Sequence, residues 1–190
     1  MVASRKPTPY IVPLRELPTE RAHDLSPAFV EDAIKGLAVV VALENAPGAG
    51  NGTARARLSL YGDGDNAFAR GTISGWFEVA CSRCLSAMKV EFDDNVSVSY
   101  LPIAQMPDDD SVDEAALAED EDVFPYDGEQ LDLEPLIRER IVLAVPFAPL
   151  CRDDCSGLCQ KCGINQNDGS CCCETQVVDP RLATLKDFKV

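Results

Sequence analysis

The residues from 88 to 100, MKVEFDDNVSVSY, alternate between apolar and polar side chains. The apolar parity consists of Met88, Val90, Phe92, Val96, Val98 and Tyr100. Asp94 is the exception, since it places a carboxylate on that parity. Side chains of a strand alternate between its two faces, so the pattern is typical of a strand with one buried face and one face in water. Such strands are common in antiparallel sheets.

Further strands are predicted between residues 36 and 84. The candidate runs are GLAVVVAL (36–43), ARARLSLY (54–61) and RGTISGWFEVACSRC (70–84). The intervening segments ENAPGAGNG and GDGDN have the composition of turns. Consecutive strands joined by short turns favour a meander or a partly open barrel. The proline-rich residues 6–20 suit an extended edge segment.

A helix is predicted near 132–145. Apolar residues there recur at three- and four-residue steps, which is the periodicity of a helix face. Asp132 is suited to cap the N-terminus, and Pro135 falls in the first turn, where a missing amide costs least. Pro146 ends the pattern. The apolar stripe, which should pack on the sheet, consists of Leu133, Leu136, Ile137, Ile141 and Ala144.

The formal net charge of −15 is concentrated in one segment. Residues 108–122, DDDSVDEAALAEDED, carry nine acidic residues and no basic one. Such a run predicts a flexible, solvated loop over 107–122; the alternative is an acidic arm that holds a basic partner. The excess of acids argues against a protein whose whole surface binds nucleic acid, because phosphate binding depends on Lys and Arg.

No apolar run approaches the roughly 20 residues of a membrane-spanning helix. The N-terminal residues also lack the pattern of a secretory signal. We therefore expect a cytoplasmic protein with no membrane partner. Cytosolic thiols are kept reduced, so structural disulfides are a weak explanation for the nine cysteines of the chain.

Eight of these cysteines form four closely spaced pairs. Thiolates this close in sequence can meet a single ion, and two pairs complete a tetrahedral Zn²⁺ site with Zn–S distances of about 2.3 Å. Iron would suit the same ligands. Gly163 can take a positive φ that turns backbone amides toward the sulfur atoms. The candidate ligands are Cys81, Cys84, Cys151, Cys155, Cys159, Cys162, Cys171 and Cys173.

Distance along the chain favours two structural zinc sites. The last four of these ligands span fifteen residues and can form a compact knuckle. The pair Cys81 and Cys84 would then meet Cys151 and Cys155, beyond the helix. The alternative is one zinc held by the C-terminal pairs, with Cys81 and Cys84 free. Cys172 is the expected supernumerary thiol, because in an extended segment it points away from its neighbours.

The pattern predicts an α+β fold with an antiparallel sheet or partly open barrel, one main packing helix and a C-terminal cysteine-rich zinc-knuckle module. We expect a β-rich domain over 1–150, which includes the helix and the acidic loop. Residues 151–190 form the zinc module and a C-terminal tail. A chain of 190 residues is long enough for one domain with a core and a small appended module.

The residues do not favour an enzyme. His23 is the only histidine, and it is not part of the H-x-E motif of zinc deaminases. Catalytic zinc keeps an open position, whereas sites of four cysteines are closed and structural. A thioredoxin-like CxxC belongs in a βαβ context, but CSRC (81–84) lies among predicted antiparallel strands. A zinc-dependent redox-sensing regulator and a protein-interaction adaptor remain as alternatives.

The motifs together resemble the YceD family, bacterial and plastid proteins linked to accumulation of large-subunit ribosomal RNA. The resemblance covers about residues 10–188. It implies a non-enzymatic ribosome biogenesis factor that supports synthesis, processing or accumulation of large-subunit (23S) ribosomal RNA, with no small-molecule substrate. It places Cys81 and Cys84 in the first family motif and the other six candidate ligands in the second. The motifs are VACSRCL (79–85), LAVPFAPLC (143–151), C-x3-C-x-GLC-x2-CG-x-N, C-x-C and DPRLATL (179–185).

Two mechanisms are compatible with this resemblance. In one, the acidic chain holds a basic ribosomal protein until ribosomal RNA takes it. In the other, the chain contacts the large-subunit ribosomal RNA precursor directly, which requires a positively charged strip. Candidate residues for that strip are Arg55, Arg57, Arg70, Arg83, Lys89, Arg152, Lys161 and Arg181.

Overall fold

The computed structural model describes residues 9–41, 51–106 and 122–173. This part of the chain forms strands, three α-helices and two short 3₁₀ turns. The strands are β1 (Ile11–Pro13), β2 (Thr19–Leu25), β3 (Gly52–Asp63), β4 (Asn66–Ala80), β5 (Ala87–Pro102), β6 (Asp122–Tyr126) and β7 (Gln130–Asp132). The helices are α1 (Pro27–Ile34), α2 (Ala38–Val41) and α3 (Glu134–Leu143), and the 3₁₀ turns are Leu14–Glu16 and Ile103–Gln105.

The main sheet is open and has the strand order β2-β3-β4-β5-β6. Strands β2 to β5 form an antiparallel meander, and β6 adds to β5 in parallel. Strands β1 and β7 form a separate antiparallel pair. The predicted fold class is therefore confirmed: the sheet is mostly antiparallel, the helices are few, and a C-terminal group of cysteines is placed for metal binding.

The alternation predicted for residues 88–100 sets the two faces of β5. Val96, Val98 and Tyr100 are buried. Of the two serines between them, Ser97 is exposed and Ser99 is buried. Asp94 lies on the apolar parity because it has a partner there: Arg140 of α3 places Nη1 3.7 Å from Asp94 Oδ2. The polar exception in the pattern thus marks an ion pair between the sheet and α3.

Helix α3 packs its predicted stripe into the core. Leu133, Leu136, Ile137 and Ile141 are fully buried, and Ala144 is partly buried against them. The carboxylate of Asp132 accepts a hydrogen bond of 3.0 Å from the amide of Glu134, so it supports the start of the helix as expected, although the N-cap residue is Leu133. Helix α1 lies between α3 and β3, and α2 packs on β4.

Two helical segments differ from the sequence expectation. The run GLAVVVAL predicts a strand, and this prediction is wrong for Ala38–Val41, since these residues form α2. A short apolar run does not distinguish a strand from a buried helix, and packing on β4 decides here. Helix α1 was not predicted, although Ser26 caps it by accepting a 3.3 Å hydrogen bond from the Phe29 amide and Pro27 opens it.

Other predictions lie outside the described residues. They concern the acidic loop up to residue 121 and the tail beyond residue 173. The boundary between the domains 1–150 and 151–190 stays a prediction. In the described ranges, we find no helix that combines the length and apolar character needed to cross a membrane.

Truncation of the α3 stripe tests the packing. Leu136→Ala should lower the free energy of unfolding by about 2–5 kcal/mol, because it removes a side chain with 0% exposure and leaves a cavity. The matched control is Leu143→Ala on the same helix, where the side chain is 65% exposed and the change should stay within about 0.5 kcal/mol. Urea unfolding followed by circular dichroism measures both. Equal losses would contradict the orientation of α3.

Candidate metal centres

The eight paired cysteines come together as two groups of four. Within each group the sulfur atoms all lie within 4.8 Å of one another. The first group, here the sheet site, contains Cys81, Cys84, Cys151 and Cys155. The second group, here the knuckle site, contains Cys159, Cys162, Cys171 and Cys173. This grouping is the one that spacing along the sequence favoured, and each group has the donors to hold one metal ion.

The distances in the sheet site fit a tetrahedral ion. Cys81 Sγ lies 3.8 Å from Cys155 Sγ, and Cys84 Sγ lies 3.6 Å from Cys151 Sγ. A tetrahedron with metal–sulfur distances of about 2.3 Å has edges of about 3.8 Å. A disulfide would place the two sulfur atoms about 2.0 Å apart, and all nine cysteines are free thiols. The spacing therefore suits a shared ion and not paired disulfides.

The turn between β4 and β5 presents the first two thiols of the sheet site. It is closed by backbone hydrogen bonds from Cys81 to Ser86 and from Leu85 to Cys81, both 2.9 Å. Leu85 takes a left-handed φ of 58° within this turn. The amide of Arg83 points at Cys81 Sγ, 3.5 Å away. The turn thus directs backbone N–H groups at a sulfur atom.

Backbone amides stabilise a thiolate at Cys81. Burial opposes the charge, but hydrogen bonds from the backbone of Cys151, Cys84 and Arg83 outweigh it and lower the pKa of Cys81 to about 6. Cys81, Cys84 and Cys155 are all buried, together with the partly buried Met88, Leu150 and Leu158. The sheet site can therefore carry negative charge on buried sulfur atoms, and a bound cation would neutralise that charge.

Arg83 connects the β4–β5 turn to the cysteine-rich segment. Its guanidinium donates to the carbonyl oxygen of Cys155 at 3.0 Å, and its own carbonyl accepts from the Leu158 amide at 3.1 Å. The Ser82 amide donates to the Pro149 carbonyl at 2.8 Å. These bonds place the segment after α3 directly over the turn, so Cys151 and Cys155 reach the sulfur atoms of Cys81 and Cys84.

Two asparagines that the sequence did not single out as site residues orient Cys155. Asn167 donates its side-chain amide to Cys155 Sγ at 3.3 Å, while its oxygen accepts from the Ser156 amide at 2.8 Å. The side chain of Asn165 holds Asn167 by accepting from its side-chain nitrogen at 2.8 Å. Groups that bond to ligands commonly fix their orientation. The sequence signal for this role is the pair Asn165 and Asn167, which are separated by one residue and lie between two of the cysteine pairs.

The knuckle site follows the geometry predicted around Gly163. This glycine has a φ of 73°, and its amide donates to the Cys159 carbonyl at 2.8 Å. Backbone hydrogen bonds from Cys162 and Lys161 lower the pKa of Cys159 to about 6. A hydrogen bond with Cys162, followed by burial, raises the pKa of Cys173 to about 12. A thiolate thus forms readily at Cys159, whereas ionisation of the Cys173 thiol is opposed.

The two sites differ in exposure. In the knuckle site only Cys159 is buried, Cys162 is exposed, and Cys171 and Cys173 are intermediate. Cys172 is exposed and belongs to neither group, as its parity indicated. Four sulfur donors would close the coordination of a bound ion and leave no position for substrate, as in structural metal sites. The donor set fits Zn²⁺, and it also fits iron.

Gly157 lies between the two sites and packs against the turn. Its φ is 75°, and a Cβ built on it would lie 3.1 Å from the Arg83 carbonyl oxygen. Gly163 has nearly the same φ but has no atom within 4 Å of a built Cβ. Comparison of Gly157 with Gly163 separates the cost of a left-handed backbone from the cost of a steric contact. Both glycines need the left-handed conformation, but only Gly157 is also sterically confined.

Alanine at these two glycines should therefore destabilise the fold unequally. Each substitution costs about 1 kcal/mol for the left-handed conformation. Gly157→Ala should cost more, since its Cβ displaces the Arg83 carbonyl and the Leu158 hydrogen bond with it. Thermal unfolding of the metal-loaded variants compares them, with Gly163→Ala as the matched control. A Gly163→Ala loss equal to or larger than that of Gly157→Ala would refute the close contact.

Parts of this chain are similar to known proteins. An uncharacterized protein of Mycobacterium tuberculosis is 33% identical over 120 residues, which are 62% of this chain and 53% of that protein. An uncharacterized protein of Mycobacterium leprae is 34% identical over 95 residues, covering 50% of this chain and 41% of its own length. The chain thus spans about half the length of the curated relatives it matches first. No solved structure matches.

A named relative comes from Arabidopsis thaliana, the large ribosomal RNA subunit accumulation protein YCED homolog 1, chloroplastic. It is 33% identical over 71 residues, which cover 37% of this chain and 22% of that protein. The profile of the family described as large ribosomal RNA subunit accumulation protein YceD matches residues 69–189. That region contains all eight cysteines of the sheet and knuckle sites. The chain belongs to the YceD family.

Proposed function

We propose that this chain is a non-enzymatic, cytoplasmic ribosome biogenesis factor that supports accumulation of large-subunit (23S) ribosomal RNA. The observation that carries the proposal is the family match over residues 69–189, which coincides with two four-sulfur groups. Closed sulfur sites suit a scaffold, since they bind an ion without offering it to a substrate. His23, the one histidine of the chain, lies in β2 and outside both sites, so each site has only sulfur donors.

We propose Zn²⁺ as the metal in both sites. The sulfur–sulfur distances of 3.6 and 3.8 Å in the sheet site match the edges of a tetrahedral zinc–thiolate centre. Eight thiolates and two Zn²⁺ ions would together add a charge of −8 + 4 = −4 to the ligand residues. Burial of Cys81, Cys84, Cys155 and Cys159 favours structural zinc over a redox switch, because oxidants reach exposed thiolates first.

The partner of this scaffold is a basic ribosomal protein, the ribosomal RNA precursor or both. The net charge of −15 supports electrostatic holding of a basic protein. Arg57 and Arg70 on the solvent face of the sheet support contact with RNA. In either case the zinc sites keep the cysteine-rich segment fixed on the β4–β5 turn, so that the family region presents one defined surface.

Metal analysis tests the two-site proposal. The purified chain should carry two zinc ions, Cys155→Ser should carry one, and Cys172→Ser should keep both. The Cys155 change should also lower the melting temperature markedly, because metal binding contributes folding free energy. Cys172→Ser is the matched control, because it makes the same replacement of sulfur by oxygen at a cysteine outside both groups. Elemental analysis showing iron, or a metal-free chain with disulfides, would contradict the proposal.

Depletion of the protein in its native cells tests the biological role. The ratio of mature 23S to 16S ribosomal RNA should fall, and both the wild type and Cys172→Ser should restore it. Cys155→Ser should restore it poorly, since the sheet site loses a buried ligand. Quantitative RNA blots provide the measurement, with 16S ribosomal RNA as the internal reference. An unchanged ratio on depletion would reject the role in large-subunit RNA accumulation.

A further inference from the structure

The solvent face of the main sheet carries an arginine–aromatic patch formed by Arg57, Tyr61, Phe68 and Arg70. These residues point outward, opposite the buried alanines and leucines of β3 and β4. The register sets Tyr61 opposite Phe68 and Ser59 opposite Arg70. Arg57 is diagonal to Arg70, which puts their Cα atoms about 7–8 Å apart. The two guanidinium groups can therefore reach neighbouring negative groups on one extended ligand.

Flat groups of the patch are stacked. The rings of Tyr61 and Phe68 have centroids 5.1 Å apart and an angle of 17° between their planes. The guanidinium of Arg70 lies over the Tyr61 ring, 5.7 Å from its centroid. Both rings are partly exposed. Nucleobases stack on aromatic rings and on guanidinium planes, so a base can extend this column.

The charges of the patch are available to a ligand. Neither Arg57 nor Arg70 forms an ion pair with a described residue, and both are exposed. Arg55, two residues along the same face, is instead engaged by Asp24 at 2.9 Å. Two acids, Glu20 and Asp24, lie on the same face of the edge strand β2, and Asp24 also interacts electrostatically with Arg57. The other groups around the patch are polar and uncharged. They are Ser59, Thr72, Asn95 and Ser97.

Carboxylates border the patch at both ends. Asp93 and Glu91 lie on β5, opposite Ser74 and Trp76 of β4. Asp63 lies at the tip of the β3–β4 hairpin. The positive surface is therefore short, which excludes a long duplex held along its backbone and leaves space for a few nucleotides. Two arginines would also repel a basic protein at this surface.

We propose that the arginine–aromatic patch binds single-stranded RNA. Arg57 and Arg70 contact phosphates, the Tyr61–Phe68 stack accepts a base, and the hydroxyl and amide groups around them bond to base edges and 2′-hydroxyls. The inference rests on the proposed role in large-subunit RNA accumulation and names the RNA as a direct partner. It also narrows the strip of basic residues expected from the sequence to two of its members.

Fluorescence anisotropy with a labelled single-stranded RNA of about ten nucleotides tests the patch on the full, metal-loaded chain. The double variant Arg57→Ala, Arg70→Ala should bind at least tenfold more weakly. Its plot of log affinity against log salt should be shallower by about 1.4, since two phosphate contacts are lost. Phe68→Ala should weaken binding roughly tenfold, and Phe68→Tyr, which keeps the stack, should retain most of the affinity.

The matched control removes the same charge elsewhere. Arg15→Ala with Lys35→Ala takes two exposed basic residues from a 3₁₀ turn and from the end of α1, outside the sheet. This control should bind RNA within about twofold of the wild type, because distant charges are screened. Melting temperatures equal to the wild type confirm that each variant is folded. Equal losses for the patch variant and the control would overturn the assignment of the site.

Two further outcomes separate this inference from the proposed function. If the wild type binds no RNA while depletion still lowers 23S ribosomal RNA, direct binding is wrong and the role in accumulation stands. If the patch variant loses a co-purifying basic ribosomal protein and no RNA, the surface belongs to a protein partner and the inference is overturned. Loss of RNA binding by the patch variant, with failure to restore 23S ribosomal RNA, supports both.

Discussion

The sulfur atoms of the sheet site are the contact on which the second half of the structure depends. Among residues 151–173, the buried positions are Cys155, Gly157 and Cys159. This segment buries too little apolar surface to hold itself in place by the hydrophobic effect. Its attachment consists of four thiols shared with the β4–β5 turn, backbone hydrogen bonds to that turn and the guanidinium of Arg83. A metal at this position would replace a hydrophobic core with coordinate bonds.

The same turn couples the two halves of the fold. Strand β4 runs without a break in register from the hairpin at Asp63 and Asn66 to Ala80, immediately before Cys81. Its inner face contributes Ile73, Phe77 and Val79 to the main core, and its end delivers the first thiol of the sheet site. A shift of the register by one residue would turn Cys81 away and expose the core face. Core packing and thiol placement therefore select the same register.

The sequence predicted those elements and residue groups whose pattern has a single physical cause. Alternation over 88–100 and the stripe of α3 follow from burial of one face, and close pairs of cysteines follow from the size of an ion. The assignment of GLAVVVAL failed because the periodicity of so short a run is ambiguous and packing on β4 decides its conformation. Parallel pairing of β6, the Asp94–Arg140 ion pair and the orientation of Cys155 by Asn167 depend on contacts distant along the chain. A single sequence carries little signal for such contacts.

The high negative charge and an RNA-binding surface are compatible in one small protein. At physiological ionic strength charges are screened over about 8 Å, so the groups next to a ligand determine its binding more than the net charge does. The face around Arg57 and Arg70 is locally positive, and its borders at Asp93 and Asp63 turn negative. An RNA strand bound at the proposed patch would meet repulsion where it leaves it, which would limit the number of phosphate contacts and keep the affinity low. A factor that must release ribosomal RNA to the growing subunit benefits from that limit, because fewer phosphate contacts mean faster dissociation.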